Sequence, residues 1–325
     1  MKNLPFPKSL LEFQQLFPSN EACDKYLEQV RWPDGFVCPS CAHAADPFRF
    51  SAKPRVLRCR ACRKDTYLMR GTIMQDTHTS LLTWFRGAYL VASLTHGMSA
   101  VRLQRQLGIK RYETAFQILR KLRSGMVRAN ADPIGGVNTV ELDAVWIGGK
   151  TVGEGNGTHH KTLVVGCVEV KGQKPSENPL GEQSKAIPRR GGRYAGRIRL
   201  AVVPDLTAQS LVSFARSAIA PGSDIITDDC PSYASLEKYN FKHQAFAGNG
   251  DPNVAEDKMP LIHLVFSNLK AWLLGIHHGV SPKHLQAYLN EFTFRFNRRS
   301  SPCNSFRSIL GIGSNTENYL PETAR

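Results

Sequence analysis

The stretch VELDAVWIGGK (140–150) decides the reading of this chain. Val140 and Leu142 alternate with Glu141 and Asp143, a β-rich run follows, and Gly148 and Gly149 close it. Such a pattern predicts a strand that carries a carboxylate on a buried sheet and ends in a glycine turn. A second run, DIITDDCPSY (224–233), repeats the idea: an apolar strand ends in Asp228 and Asp229. Strands far apart in sequence can lie side by side in one sheet and bring their acids together. Converging carboxylates suit Mg²⁺, a hard cation that takes oxygen ligands, and a pair of such ions serves phosphodiester chemistry.

The 325 residues are 42% hydrophobic, enough for a sizeable core and for two or more domains. The formal net charge of +15, from 42 Lys and Arg against 27 Asp and Glu, points to a polyanionic partner. No apolar run reaches the roughly 18–20 residues that a bilayer-crossing helix needs. The opening MKNLPFPKSL has no long apolar core, so a signal peptide is not expected and the chain is read as cytoplasmic.

Four of the eight cysteines, Cys38, Cys41, Cys59 and Cys62, form two C-x2-C knuckles. Paired knuckles predict one tetrahedral Zn²⁺ held by four thiolates. The other cysteines stand alone and read as small buried apolar residues. FRF (48–50) and VLRCRAC (56–62) read as short strands of a zinc ribbon that depends on its metal for stability. Arg58, Arg60 and Arg63 belong to a basic cluster on this module and are candidate phosphate contacts.

Ser19 and Asn20 predict a helix start that runs to about Val30. From residue 80 to 126 the period is helical. SAVRLQRQL, a turn at Gly108, and YETAFQILRKLRSGM predict helix, glycine turn, helix, the outline of a DNA-binding helix-turn-helix. Arg102, Arg105, Lys110 and Arg111 are its candidate DNA contacts. DPIGGVN (132–138) reads as a linker. Three strands follow at hairpin-like spacing, with a Pro-, Gly- and Lys/Arg-rich stretch between the last two that reads as a mobile basic loop. A helix over 207–219, a fourth strand ending at Asp228, an irregular stretch over 243–260 and two more helices complete the chain. Strands, helix, strand, helices is the order of an RNase H-like domain. The predicted fold class is therefore a multidomain α+β or α/β chain: residues 1–70 a helix and zinc ribbon, 71–131 a helix-turn-helix-like segment, and 132–325 an RNase H-like domain with a mixed sheet and flanking helices.

Read together, CPSC and CRAC, GMSAVRLQRQLGIKRYETAFQILRKLR (97–123), VELDAVWIGGK, ITDDCPSY and HLVFSNLKAWLLGIHHGVSPKHLQAYLNEFTFRFNRR (263–299) resemble bacterial insertion-sequence transposases of the DDE superfamily, in the group with a zinc ribbon and an ISXO2-like catalytic domain. The resemblance covers nearly the whole chain. It implies DNA cleavage and strand transfer with Mg²⁺ or Mn²⁺, terminal inverted repeats and target DNA as partners, a homo-oligomer on DNA, no membrane, and association with the nucleoid when DNA is bound. The first catalytic Asp falls on Asp143 and the second on Asp228.

The third position departs from that pattern. The resemblance implies a Glu about 35 residues after the second Asp and a Lys or Arg seven further on; His263 and Lys270 occupy those places. His263 suits Mn²⁺ better than Mg²⁺. Asn268 is the rival, because the resemblance also admits an asparagine, whose amide oxygen is a hard ligand. His263 and Asn268 lie about 140° apart around a helix, so one metal site does not take both; the spacing favours His263. Glu256 and Asp257 are further acids nearby, and Glu141 shares a strand face with Asp143. The alternative reading is a decayed transposase derivative acting only as a zinc-ribbon DNA-binding protein.

Overall fold

The computed structural model describes residues 7, 9–94, 96–127, 132–148, 161–172, 192–246, 258–299 and 302–310. The chain divides into two compact units, 1–129 with 298–325, and 130–297.

In the first unit, helices α1 (Leu10–Leu16) and α2 (Asn20–Arg31) each start on a serine, Ser9 and Ser19, whose hydroxyl accepts a first-turn N–H. A three-stranded antiparallel ribbon follows: β1 (Phe48–Phe50), β2 (Lys53–Arg58) and β3 (Asp65–Tyr67). The third strand was absent from the sequence reading. Helix α2 holds the ribbon through Asp24–Arg55 and Glu28–Arg49 ion pairs. Arg31 also donates to the carbonyls of Tyr67, Leu68 and Arg70 at 3.3, 2.8 and 2.9 Å.

Helices α3 (Leu81–Ser93), α4 (Ala100–Leu107) and α5 (Tyr112–Ser124) complete this unit's main body. Ser99 caps α4, and Gly108 ends it at φ 63°, a left-handed conformation that glycine adopts without strain. The predicted helix–glycine turn–helix is present. The chain after Asn297 returns here. Helix α9 (Pro302–Ile309) seats Phe306 among Phe17, Tyr26 and Phe85, with ring centroids 5.8–6.4 Å apart. Residues 298–310 therefore belong with the first unit and not with the domain expected over 132–325.

The second unit is a five-stranded mixed sheet. Its strands are β4 (Val140–Ile147), β5 (Thr162–Lys171), β6 (Tyr194–Val202), β7 (Asp224–Asp228) and β8 (Lys242–Phe246), in the order β6-β5-β4-β7-β8. β4, β5 and β6 are antiparallel neighbours, whereas β7 and β8 run parallel to β4. This is the RNase H-like arrangement. β8 falls in the stretch read as irregular; it is an edge strand with mostly exposed side chains, so no apolar alternation marks it.

Strand alternation feeds two cores. Val140, Leu142, Leu163, Val165, Cys167 and Ile225 face helix α6 (Ala208–Ala218) and the 3-10 helix Pro231–Tyr239. Val164, Val168, Ile198 and Leu200 face helices α7 (Pro260–His277) and α8 (Pro282–Asn297). The expected linker contributes Ile134, fully buried and bridged to Ile219. Helix α8 also covers the open edge of β6: Gln286 accepts from Val202 N–H at 2.9 Å, and Asn297 accepts from Ile198 N–H at 2.8 Å. Residues 173–191 of the basic stretch between β5 and β6, and the acids at 256 and 257, lie outside the described residues.

Candidate active site and zinc centre

The two knuckles of the ribbon are built alike. Cys38 N–H donates to His43 O and Ala42 N–H to Cys38 O; Cys59 N–H donates to Lys64 O and Arg63 N–H to Cys59 O. Ala42 and Arg63, each just after the second cysteine of its knuckle, are left-handed at φ 57° and 56°. Both chains thus turn back and aim their thiols at one point. The four Sγ atoms lie within 4.8 Å of one another, with Cys38–Cys62 and Cys41–Cys59 at 3.6 Å. Tetrahedral Zn–S bonds of about 2.3 Å put sulfurs at this kind of separation, so the donor set and its geometry fit Zn²⁺. Burial alone would raise the Cys38 thiol, but the Ser40 and Cys41 amides and the neighbouring thiols outweigh it and lower its pKa to about 6. Among the described residues, the large apolar ones packed with the cysteines are Trp32, Phe36 and Leu57, a core too small to hold the ribbon without metal.

In the second unit, β4 and β7 pair in parallel with Val140 opposite Ile225 and Glu141 opposite Ile226. Two residues beyond the last paired positions of the two strands stand Asp143 and Asp228, on the sheet face that α7 covers and close enough for the charge of one to act on the other. From α7, His263 Nε2 approaches Asp143 Oδ2 to 3.4 Å. Asp143 Oδ1 accepts the Ala144 N–H at 2.7 Å, and Asp228 Oδ1 accepts the Cys230 N–H at 3.4 Å. Burial first, and then the Asp143 charge, holds the Asp228 carboxyl above its ordinary value, against the Cys230 amide. Tyr233 is buried close by; its phenol is raised first by burial and then by the charges of Asp143 and Asp228. Two neighbouring carboxylates, one of which resists ionisation partly because of the other, make a site that a divalent cation would relieve.

The remaining candidates fall in different surroundings. Asn268 and Lys270 are exposed on α7. Lys270 lies two turns beyond His263 on the same face, and Asn268 is turned about 140° away from it. Arg102, Arg105, Lys110 and Arg111 are exposed on and beside α4, as are Arg60 and Arg63 on the ribbon. Arg58 is committed elsewhere: its guanidinium grips Asp65 through two bonds of 2.6 and 3.0 Å and lies over the Phe50 ring. Two features of the site went unread in the sequence. Tyr233 ends the run DIITDDCPSY quoted for its acids, and nothing in that run marks the phenol as their neighbour. Gly166, opposite Asp143 on β5, leaves the gap that Phe266 of α7 fills; a glycine inside the apolar run LVVGCVEV was its signal.

No curated protein matches the chain. Residues 18–65 match the transposase zinc-ribbon domain. Residues 134–297, half of the chain, match the ISXO2-like transposase domain from the segment before β4 to the end of α8. The chain therefore belongs to the ISXO2-like transposase family and carries a transposase zinc ribbon ahead of that domain.

Proposed function

We propose that this chain is a metal-dependent DNA transposase whose ribbon and helix-turn-helix bind the terminal inverted repeats of an insertion sequence. Its second unit would then cleave the DNA and transfer the strand. The observation that carries the reading is the placement of Asp143 and Asp228 on neighbouring parallel strands, each two residues past the last paired position, with His263 reaching toward Asp143 from α7. Asp143, Asp228 and His263 would hold Mg²⁺ or Mn²⁺; His263 is preferred to Asn268 because only its ring is within reach of Asp143 among the described contacts. Such a cation, when held there, would supply activation of the attacking oxygen and stabilisation of the leaving oxygen in a phosphoryl transfer. Asp143 and Asp228 orient the scissile phosphate by fixing where that charge sits. Lys270, exposed on the His263 face, steadies a phosphate beside the cut. Joining two element ends calls for at least two copies of the chain.

The test is cleavage and strand joining on DNA carrying the element's own ends, in Mg²⁺ and in Mn²⁺. Parent protein cuts; Asp143→Asn and Asp228→Asn bind the DNA and do not cut. Histidine in place of the third acid is the observation that favours the second reading, a DNA-binding derivative without catalysis. Absence of cleavage by the parent in both metals, with end-specific binding retained, selects that second reading.

A further inference from the structure

We infer that Glu141 is a positioning residue: its buried carboxylate fixes the first turn of α7 against the strand that bears Asp143, and so sets where His263 stands. This rests on reading Asp143, Asp228 and His263 as the cation site. The geometry is specific. Glu141 is fully buried on β4, two residues before Asp143 and on the same face. Its Oε2 accepts the N–H groups of Leu261 and Ile262 at 2.9 and 2.8 Å. Those are the orphan donors of a helix start. Among the described residues the α7 start has no local remedy for them: Met259 at the N-cap gives no side-chain bond, and Pro260 has no N–H to give. The cap comes instead from a residue 120 positions earlier in the chain. His263 follows Ile262 directly, so whatever holds the Ile262 amide holds the backbone of His263.

A simple structural cap is the competing account, and two features count against it. A helix N-cap is commonly a local serine or aspartate, whereas position 259 here is a buried methionine. Here a whole carboxylate is buried, and its Oε1 has no hydrogen-bond partner among the described residues, an arrangement that costs stability. The cost goes to tying together the two elements that carry Asp143 and His263. Anchoring of this kind resembles the outer-shell partners of metal ligands, whose loss lowers metal affinity about 10–100-fold.

The experiment measures Mn²⁺ affinity of the full chain, zinc loaded and without DNA, by the electron paramagnetic resonance signal of free Mn²⁺. Glu141→Leu keeps the volume and removes the acceptor; it should weaken Mn²⁺ binding about 10–100-fold. Glu141→Gln keeps an oxygen for both amides and should stay near the parent. In a His263→Ala background, Glu141→Leu should add little further loss, because its effect runs through His263. Equal affinity in Glu141→Leu and the parent overturns the inference. So does a Glu141→Leu loss that is the same with and without His263, or a Glu141→Gln loss as large as that of Asp143→Asn, which would mark Glu141 as a ligand. Parental affinity in Asp143→Asn would overturn the cation site itself, and with it this inference. If Glu141→Leu does not fold, Glu141→Asp, whose shorter side chain cannot keep both amide bonds, is measured in its place and read the same way.

Discussion

Gly166→Ala tests whether the separation of α7 from the sheet controls the site. Gly166 pairs with Asp143 and faces α7. A Cβ there would stand 2.7 Å from Phe266 Cε1, 2.7 Å from Leu200 Cδ2 and 3.0 Å from Phe266 Cζ. Ordinary carbon contacts are about 3.5–4.0 Å, so the neighbours must yield by about 1 Å. Phe266 and Leu200 are only 4% and 6% exposed, so neither can swing into solvent. Overpacking of this kind costs about 1–3 kcal/mol, or a fall in melting temperature of roughly 2–4 °C for each kcal/mol in a unit of this size. The cheapest response is for α7 to lift, and His263 lies one turn before Phe266 on that helix. A displacement near 1 Å at a reacting centre costs about 100-fold in rate. The expected result is therefore a modest loss in a circular-dichroism melt and a loss of about 100-fold in metal-dependent cleavage. Gly275→Ala is the control. It lies on α7 with nothing within 4 Å of its added Cβ, and it should stabilise the helix by up to about 1 kcal/mol without slowing cleavage. Parental cleavage by Gly166→Ala would refute the argument that helix height governs the site.

The other predictions follow from the same observations. Metal analysis should find one zinc per chain, lost in Cys38→Ser together with the ribbon's protection from proteolysis. The Asp228 carboxyl is raised in the folded protein by burial and by Asp143. The metal-free native state therefore binds a proton more tightly than the unfolded chain, and stability falls as pH rises from the unfolded value to the folded one. Asp228→Asn should flatten that slope and raise the melting temperature at neutral pH, while Mn²⁺ binding is lost. Arg63→Ala, Arg102→Ala or Arg111→Ala should each lower the slope of log K for DNA against log salt by about 0.9. Arg58→Ala, which breaks the Asp65 grip, should instead lower ribbon stability and leave that slope nearly unchanged.

Much of the architecture was legible because it is local. Serine caps, C-x2-C knuckles, the glycine turn at Gly108 and alternating strands all declare themselves within about ten residues. The parts that escaped depend on partners far away. β8 earns no apolar stripe because its Lys242–Phe246 run is an edge whose place is set by pairing with β7. The Arg58 charge looked available for phosphate because the strand pairing that brings Asp65 opposite it is not visible in a charge count. The return of α9 to the first unit hangs on Phe306 meeting Phe17, Tyr26 and Phe85, a contact between opposite ends of the chain. Asp143 and Asp228 were legible as strand-borne acids, but their placement side by side needed the parallel register. Spacing left both His263 and Asn268 open, since the rotation of α7 about its axis is not written in its own residues.

Two residues that are not ligands constrain α7 in different directions, and together they give a physical account of a histidine at the third position. Gly166 sets how closely the helix approaches the sheet, and Glu141 sets where along the sheet its first turn lies. The face so enclosed already carries Glu141, Asp143 and Asp228. An acid at 263 would add a fourth carboxylate, beside Asp143, where the existing charges already help to keep Asp228 from ionising. An imidazole at the same place offers a ligand atom without a further negative charge, so the metal-free fold is less strained by repulsion. The same exchange gives up some attraction for a hard divalent cation and moves the preference toward Mn²⁺. On this argument His263→Glu gains affinity for Mg²⁺ only as it loses stability without metal, and the two effects trade against each other through one shared charge on Asp143.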